Sequence, residues 1–212
     1  TNCQIDVLVN SWALDVVKRM PEVNQVHVNP FGHGEFGLIK RIKLGFSLRS
    51  EHYDQCFVLP NSLKSALVPF FAGIQKRTGF VGEMRYGLLN DSYKLDKLAL
   101  PLMIERFCAL ANAGHKPDSI EFPSFSVDTQ NQTKVLNRLS LNLLKPVICL
   151  CPAAEYGPAK RWPSIHFAKL ADLLQAQNYQ VWIRGSAKDQ SIAEEIVQQA
   201  TVNADLHNLC GR

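Results

Sequence analysis

Lys160 and Arg161 are adjacent cations in the loop Cys-Pro-Ala-Ala-Glu-Tyr-Gly-Pro-Ala-Lys-Arg-Trp-Pro, which runs from Cys151 to Pro163 between an apolar run and a helical pattern. The preceding run, Val147-Ile148-Cys149-Leu150-Cys151, is apolar without alternation, the character of a strand buried on both faces of a parallel sheet. Cys149 and Cys151 then read as small core residues. After the loop, Ile165, Phe167, Ala168, Leu170, Ala171, Leu173 and Leu174 recur at helical spacing up to Gln177. Open parallel sheets bind ligands beyond the carboxyl ends of their strands, and helix N-termini offer free N–H groups and positive dipole character. A phosphate-bearing ligand therefore suits this loop, with Lys160 and Arg161 supplying the matching charge. The competing use is that both are solvated loop charges.

A second turn of the same kind follows the strand-like run Gln180–Arg184. Gly185-Ser186-Ala187-Lys188-Asp189 opens a helix with Ser186 as N-cap and Asp189 at the third helical position, a capping-box arrangement. Capping alone explains the turn. Contact of Gly185 and Ser186 with a nucleotide is the second use, because the turn also lies at a strand carboxyl end. The chain carries neither a Gly-x-Gly-x-x-Gly fingerprint nor a Walker loop, which counts against a nicotinamide enzyme or an NTPase.

These loops need a scaffold, and the rest of the chain reads as one. Ile5–Val9, Gln25–Val28, Gln55–Leu59 and Thr78–Val81 are predicted strands. Ser11–Arg19, Gly37–Arg49, Leu63–Phe71 and Pro101–Ala113 are predicted helices between or after them. This alternation argues for α/β architecture with a parallel, Rossmann-like sheet. Residues 116–145 are less periodic and carry Pro117 and Pro123, which suits an interdomain connection with a short strand. A second βαβα run begins at Pro146. The expected domains are 1–145, with its linker from about 116, and 146–212.

Composition excludes several classes. With 46% apolar residues, 20% charged residues and a net charge of +4, the chain resembles an ordinary folded protein, and no nucleic-acid partner is expected. No run approaches the roughly 20 apolar residues of a membrane span. The start, Thr1-Asn2-Cys3-Gln4-Ile5-Asp6, is not a signal peptide, so a cytoplasmic setting is expected. Cysteines at 3, 56, 108, 149, 151 and 210 form no Cys-x-x-Cys pair, which predicts neither zinc nor a disulfide framework. The absence of an initiating Met and the short second half suggest an internal piece of a longer protein, missing both ends.

The wording of the Lys160 loop resembles the donor loop of the ADP-heptose:lipopolysaccharide heptosyltransferases, glycosyltransferase family 9, with Ala153 where that family is expected to have glycine. The segments Arg19–Asn24, Leu59–Ile74 and Gly82–Asp91 resemble the same family. The resemblance implies a GT-B fold, two Rossmann-like domains facing a cleft. It also implies inverting transfer of L-glycero-D-manno-heptose from ADP-heptose to the first heptose of the lipopolysaccharide inner core, without a cofactor or metal. Lys160 would stabilise the departing diphosphate, and Glu155, Tyr156 and Arg161 would line the donor site. Trp162 would pack the loop or touch the ligand. The acceptor, heptosyl-Kdo2-lipid A, is anionic, which singles out Lys64, Arg77 and Arg85 beside Lys76; pairing with Glu83 is their alternative use. A lipid-bearing acceptor further implies transient contact with the cytoplasmic face of the inner membrane. The family's general base is an Asp in an N-terminal Gly-Asp loop that this chain does not contain, and Asp54, Asp91 and Asp96 read as capping or solvated groups. A first-heptose transferase, another GT-B nucleotide-sugar enzyme, or an inactive nucleotide-sugar-binding fragment remain the alternatives.

Overall fold

The computed structural model describes residues 3–32, 34–154 and 157–212. The chain divides into two compact units, Thr1–Val127 and Asp128–Arg212.

In the first unit, β1 (Ile5–Asn10) leads through a short 3-10 turn into α1 (Leu14–Val17) and then β2 (Val23–Asn29). β1 and β2 pair in parallel, with Asp6 opposite Gln25 and Val9 opposite Val28. Next come α2 (Leu38–Ser47), β3 (Gln55–Val58), α3 (Leu63–Phe71), β4 (Lys76–Phe80), β5 (Asp91–Tyr93) and α4 (Met103–Ala111). The second sheet has the order β3-β4-β5, again all parallel. Helix α3 buries Ala66, Leu67, Val68 and Pro69, and ends two residues after that proline, which cannot donate to the helical ladder.

Among the described residues, main-chain pairing does not pass from β2 to β3. Side chains span the gap instead. The Tyr53 hydroxyl donates to Asp6 Oδ2 at 2.6 Å, and within the β1-β2 pair Asn24 donates to the other oxygen, Asp6 Oδ1, at 2.9 Å. Because the single Tyr53 proton is committed to Asp6, the 2.7 Å contact with His27 is one in which Nε2–H donates to the phenol oxygen.

The second unit opens with α5 (Thr129–Arg138), N-capped by Asp128, whose Oδ1 accepts from the Asn131 amide at 2.9 Å. A helix thus occupies part of the stretch for which a short strand was expected. Capping and polar helix formers outweigh the weak apolar pattern there. β6 (Val147–Leu150), α6 (Ser164–Ala176), β7 (Gln180–Ile183), α7 (Gln190–Gln199) and β8 (Leu206–Asn208) complete the chain, with the parallel order β6-β7-β8.

Both crossovers run in the same direction along this sheet, and right-handed crossovers then lay α6 and α7 on one face. Leu150, Ala168, Ala171, Val181, Ile183, Ala193, Ile196 and Leu206 form the core beneath them. The opposite face carries the register row Cys149, Trp182 and His207. Cys149 and Cys151 are exposed, which corrects the reading of both as core residues and of their strand as buried on both sides. Alternation turns Cys149 away from the helices, and apolar composition alone does not reveal which face they cover. Among the described residues, no helix is long and apolar enough to cross a membrane.

Candidate functional site

In the second unit, three loops meet at the carboxyl edge of the β6-β7-β8 sheet. The loop after β6 ends in a 3-10 turn, Pro158–Lys160, that exposes Lys160. Arg161 Nη2 donates to the Ala154 carbonyl at 3.3 Å, folding the loop back on itself. Trp162 stacks on His166 with ring centroids 5.3 Å apart and meets Phe167 edge-on at 5.0 Å. The indole thus packs against the first turns of α6, one of the two uses expected for it. At the start of that helix, Ser164 Oγ donates to Glu195 Oε1 at 2.7 Å, tying α6 to α7.

The loop after β7 is built on the capping pair read from the sequence. Asp189 Oδ2 accepts from both the amide and the hydroxyl of Ser186, each at 2.7 Å. Those two bonds, with the charges of Arg161 and Lys188 adding to them, hold the Asp189 carboxyl below its usual range against a smaller desolvation effect. Arg161 is therefore close enough to Asp189 for the two loops to share one electrostatic environment. Gly185 is required sterically: a Cβ there would lie 2.9 Å from Asp189 Cβ and 3.0 Å from Cys210 Sγ. The third loop, after β8, closes the edge through the Gly211 amide, which donates to the Gly185 carbonyl at 3.1 Å. Burial pushes the Cys210 thiol up, with Asp189 and Cys151 adding and Arg184 opposing. Arg184 is thus a third cation at this edge. Its only sequence signal was its place as the residue that ends the β7 run.

Lys160, Arg161, Gly185 and Ser186 consequently share one sheet edge, where their elements were expected to bring them. Glu155 and Tyr156 lie outside the described residues. Among the described residues, His, Cys, Asp and Glu side chains form no group of three that would hold a metal ion.

The first unit places its expected anion-binding residues differently from one another. Lys64, in the first turn of α3, lies at the carboxyl edge of β3, and its Nζ donates to the Glu35 carbonyl at 3.4 Å. Arg77 lies near the opposite, amino end of β4. Its Nε donates to Leu88 O and its Nη1 to Ile74 O, both at 2.6 Å. Arg85 is at the carboxyl edge but interior, 2% exposed. Its guanidinium bonds to the carbonyls of Phe80, Pro60 and Ser62, to Ser65 Oγ and to Asn61 Oδ1. Arg85 thereby acquires a structural use that the sequence did not disclose: it staples the loop after β3 to the loop after β4. Burial lowers its pKa, with Glu83 opposing.

The carboxylates weighed as bases are otherwise engaged or misplaced. Asp54 precedes β3 and Asp91 begins β5, both at amino ends. Asp91 also accepts from Thr78 at 2.8 Å and lies 3.4 Å from Lys76 Nζ. Asp96 Oδ1 caps the amides of Leu98 and Ala99 at 2.8 and 3.1 Å.

Residues 41–212 match the family described as glycosyltransferase family 9 (heptosyltransferase). The chain is 48% identical over 213 residues to lipopolysaccharide heptosyltransferase 2 of Escherichia coli K12, an alignment covering 97% of this chain and 61% of that protein. It is 46% identical over 206 residues to lipooligosaccharide heptosyltransferase 2 of Haemophilus influenzae, covering 93% and 59%. The solved structure of E. coli ADP-heptose lps heptosyltransferase II superposes with a TM-score of 0.87 at 44% identity, covering 99% of this chain and 64% of that one. A glycosyl transferase family 9 structure from Veillonella parvula gives 0.83 at 14% identity over 98% and 60%, a likeness of fold alone. Both likenesses fit the α/β, GT-B-type class. The chain spans about three fifths of the length of the relatives it matches.

Proposed function

The chain belongs to glycosyltransferase family 9, the heptosyltransferases, and from that premise we propose that it carries the activity of a heptosyltransferase II. The donor is ADP-heptose and the acceptor is the first heptose of the lipopolysaccharide inner core. The observation that carries the reading is the convergence of Lys160, Arg161 and Arg184 around the Gly185-Ser186 turn at one sheet edge.

In an inverting transfer, the acceptor hydroxyl oxygen bonds to the anomeric carbon as the bond from that carbon to the diphosphate oxygen breaks. The hydroxyl proton passes to a general base, and negative charge grows on the departing ADP. Lys160 is suited to meet that charge because it is exposed, while its neighbours Arg161 and Trp162 are engaged by the Ala154 carbonyl and by the rings of His166 and Phe167. Arg161 and Arg184 extend the positive field, and the Ser186–Asp189 cap fixes the neighbouring turn. Asp54 and Asp91 lie at amino ends and the Asp96 carboxylate is taken up by the Leu98 and Ala99 amides, so none of the three is assigned as the base. In the first unit, Lys64 is assigned to the anionic acceptor. Arg85 positions the loops around that acceptor, whereas Arg77, committed to the Leu88 and Ile74 carbonyls at the amino end of β4, is not assigned to it. Because the acceptor carries a lipid, the reaction belongs at the cytoplasmic face of the inner membrane.

The test is transfer by the complete protein. ADP-heptose, ADP-mannose and UDP-glucose are offered as donors, with heptosyl-Kdo2-lipid A or Kdo2-lipid A as acceptor, and products are read by mass spectrometry. Heptose should be added from ADP-heptose only to the heptosylated acceptor. Equal transfer to Kdo2-lipid A, or none from ADP-heptose, overturns the reading.

A further inference from the structure

We propose that the groove at the carboxyl edge of the β3-β4-β5 sheet, walled by Asn61, Gly82, Tyr86, Lys94, Leu95 and Lys97, binds the anionic group of a sugar through Lys94 and Lys97, with Tyr86 against the sugar ring. This deepens the proposed function by naming an acceptor subsite, and it rests on that reading for the identity of the sugar.

Three independent features meet at this groove. The first is location: Asn61, Gly82 and Lys94 each follow the end of one of the three parallel strands, where such sheets take ligands. The second is charge. Lys94 and Lys97 are exposed, and among the described residues neither forms an ion pair. Nearby Asp96 feels the Lys94 charge, but its carboxylate is occupied by the Leu98 and Ala99 amides. Glu83, on the adjoining turn, is occupied by the Leu63 amide.

The third feature is stored strain. Glu83 and Met84 are consecutive non-glycine residues in the left-handed region, at φ 44° and 49°. Gly82 before them sits so close to the neighbouring loop that a Cβ would lie 2.6 Å from Asn61 O. Such a turn is costly and persists only where its surroundings over-determine it. Here Arg85 anchors it from below, and the result holds Tyr86, 71% exposed, beside the two lysines. An aromatic face next to paired cations matches a pyranose bearing a phosphate or a carboxylate.

Isotope-labelled complete protein, titrated with inorganic phosphate and separately with glucuronate, reads the site through the amides of Gly82, Tyr86 and Gly87. Both anions should shift these amides saturably, and the probe that saturates first identifies the anion the groove prefers. The pair Lys94→Gln with Lys97→Gln should weaken the apparent Kd roughly tenfold, and the pair Lys94→Arg with Lys97→Arg should restore it to within about twofold. With the inner-core acceptor, the glutamine pair should raise the acceptor KM by roughly tenfold and leave kcat and the donor KM unchanged. Shifts of the Gly82, Tyr86 and Gly87 amides that persist in the glutamine pair, or no saturable shift of these amides with either anion, overturn the proposal. Transfer activity plays no part in the titration, so failed heptosyl transfer with an intact titration counts against the function and not against the groove.

Discussion

The Glu83 carboxylate and the Arg85 guanidinium leave the same turn with opposite hydrogen-bonding roles, the first accepting from and the second donating to the segment that follows β3. Glu83 Oε2 accepts from the Leu63 amide at 2.8 Å and so caps α3, whereas Arg85 Nη2 runs inward to Phe80 O at 2.6 Å. One strained turn is thereby fixed at both ends, by an amide that had no helical partner and by carbonyls that the sheet leaves unpaired at its edge.

Replacing Arg85 by Met, which keeps its length, should destabilise the protein by about 3 kcal/mol, because several buried carbonyls lose their donor together. Urea denaturation measures this. A loss within about 0.5 kcal/mol, the range of an ordinary surface substitution, would show the staple to be dispensable.

Lys160→Ala in the complete protein should lower kcat by roughly 10²–10³-fold, the scale of removing one preorganised charge stabiliser, while its unfolding midpoint stays unchanged. Arg184→Ala should act more weakly and on donor affinity, raising the ADP-heptose KM. Steady-state rates separate the two effects, and wild-type turnover without Lys160 would remove it from the mechanism.

The Asp6 carboxyl offers a pH test. Burial alone would raise its pKa, but bonds from Tyr53, Asn24 and Gln25, with the charge of His27, outweigh burial and hold it below the ordinary range. A depressed folded value means that this stabilisation is complete above the ordinary carboxylate pKa and fades as pH falls through the lower folded one. Tyr53→Phe removes the strongest of these supports. It should cost about 1–2 kcal/mol at neutral pH and flatten the acid limb of stability. Denaturation at several pH values checks both signs.

Thiol labelling should separate the cysteines by exposure and pKa. Cys3, Cys149 and Cys151 are exposed, whereas burial pushes the Cys56 thiol up to about 12, with the Arg77 charge opposing, and raises that of buried Cys210. Mass spectrometry after brief alkylation should find the first three modified and Cys56 and Cys210 intact. Rapid labelling of Cys210 would contradict its packing against Gly185.

Much of the scaffold was legible because its signals are local. The helix Leu63–Phe71 has the bounds read from periodicity, and the run from Val147 and the pattern from Ile165 became β6 and α6. The three-residue strand Asp91–Tyr93 was missed because Asp-Ser-Tyr carries no apolar run, and it exists through pairing with Thr78, Gly79 and Phe80. Helix α5 was missed because Thr-Gln-Asn-Gln-Thr-Lys holds no apolar residue before Val135, which leaves no apolar stripe to read, and the Asp128 cap marks its start. At the site, the Lys160 loop could be read from its strand-loop-helix setting. The inward turn of Arg85 could not, since its acceptors come from residues 60 to 65 as well as from Phe80. Lys94 and Lys97 carry no distinguishing signal in the sequence, and only the fold brings them beside Tyr86.

Among the described residues, the break in main-chain pairing between β2 and β3 gives the first unit a seam. Across that seam the Asp6, Tyr53 and His27 side chains stand in for a continuous ladder, so β1 and β2 can part from the rest by breaking a few polar bonds rather than a row of sheet amides. Such a pair forms its own cooperative folding unit, whose amides exchange with solvent through a local opening of lower free energy than global unfolding. Protonation of Asp6 removes the acceptor on which the seam depends, so acid should favour parting of the β1-β2 pair from the rest of the unit.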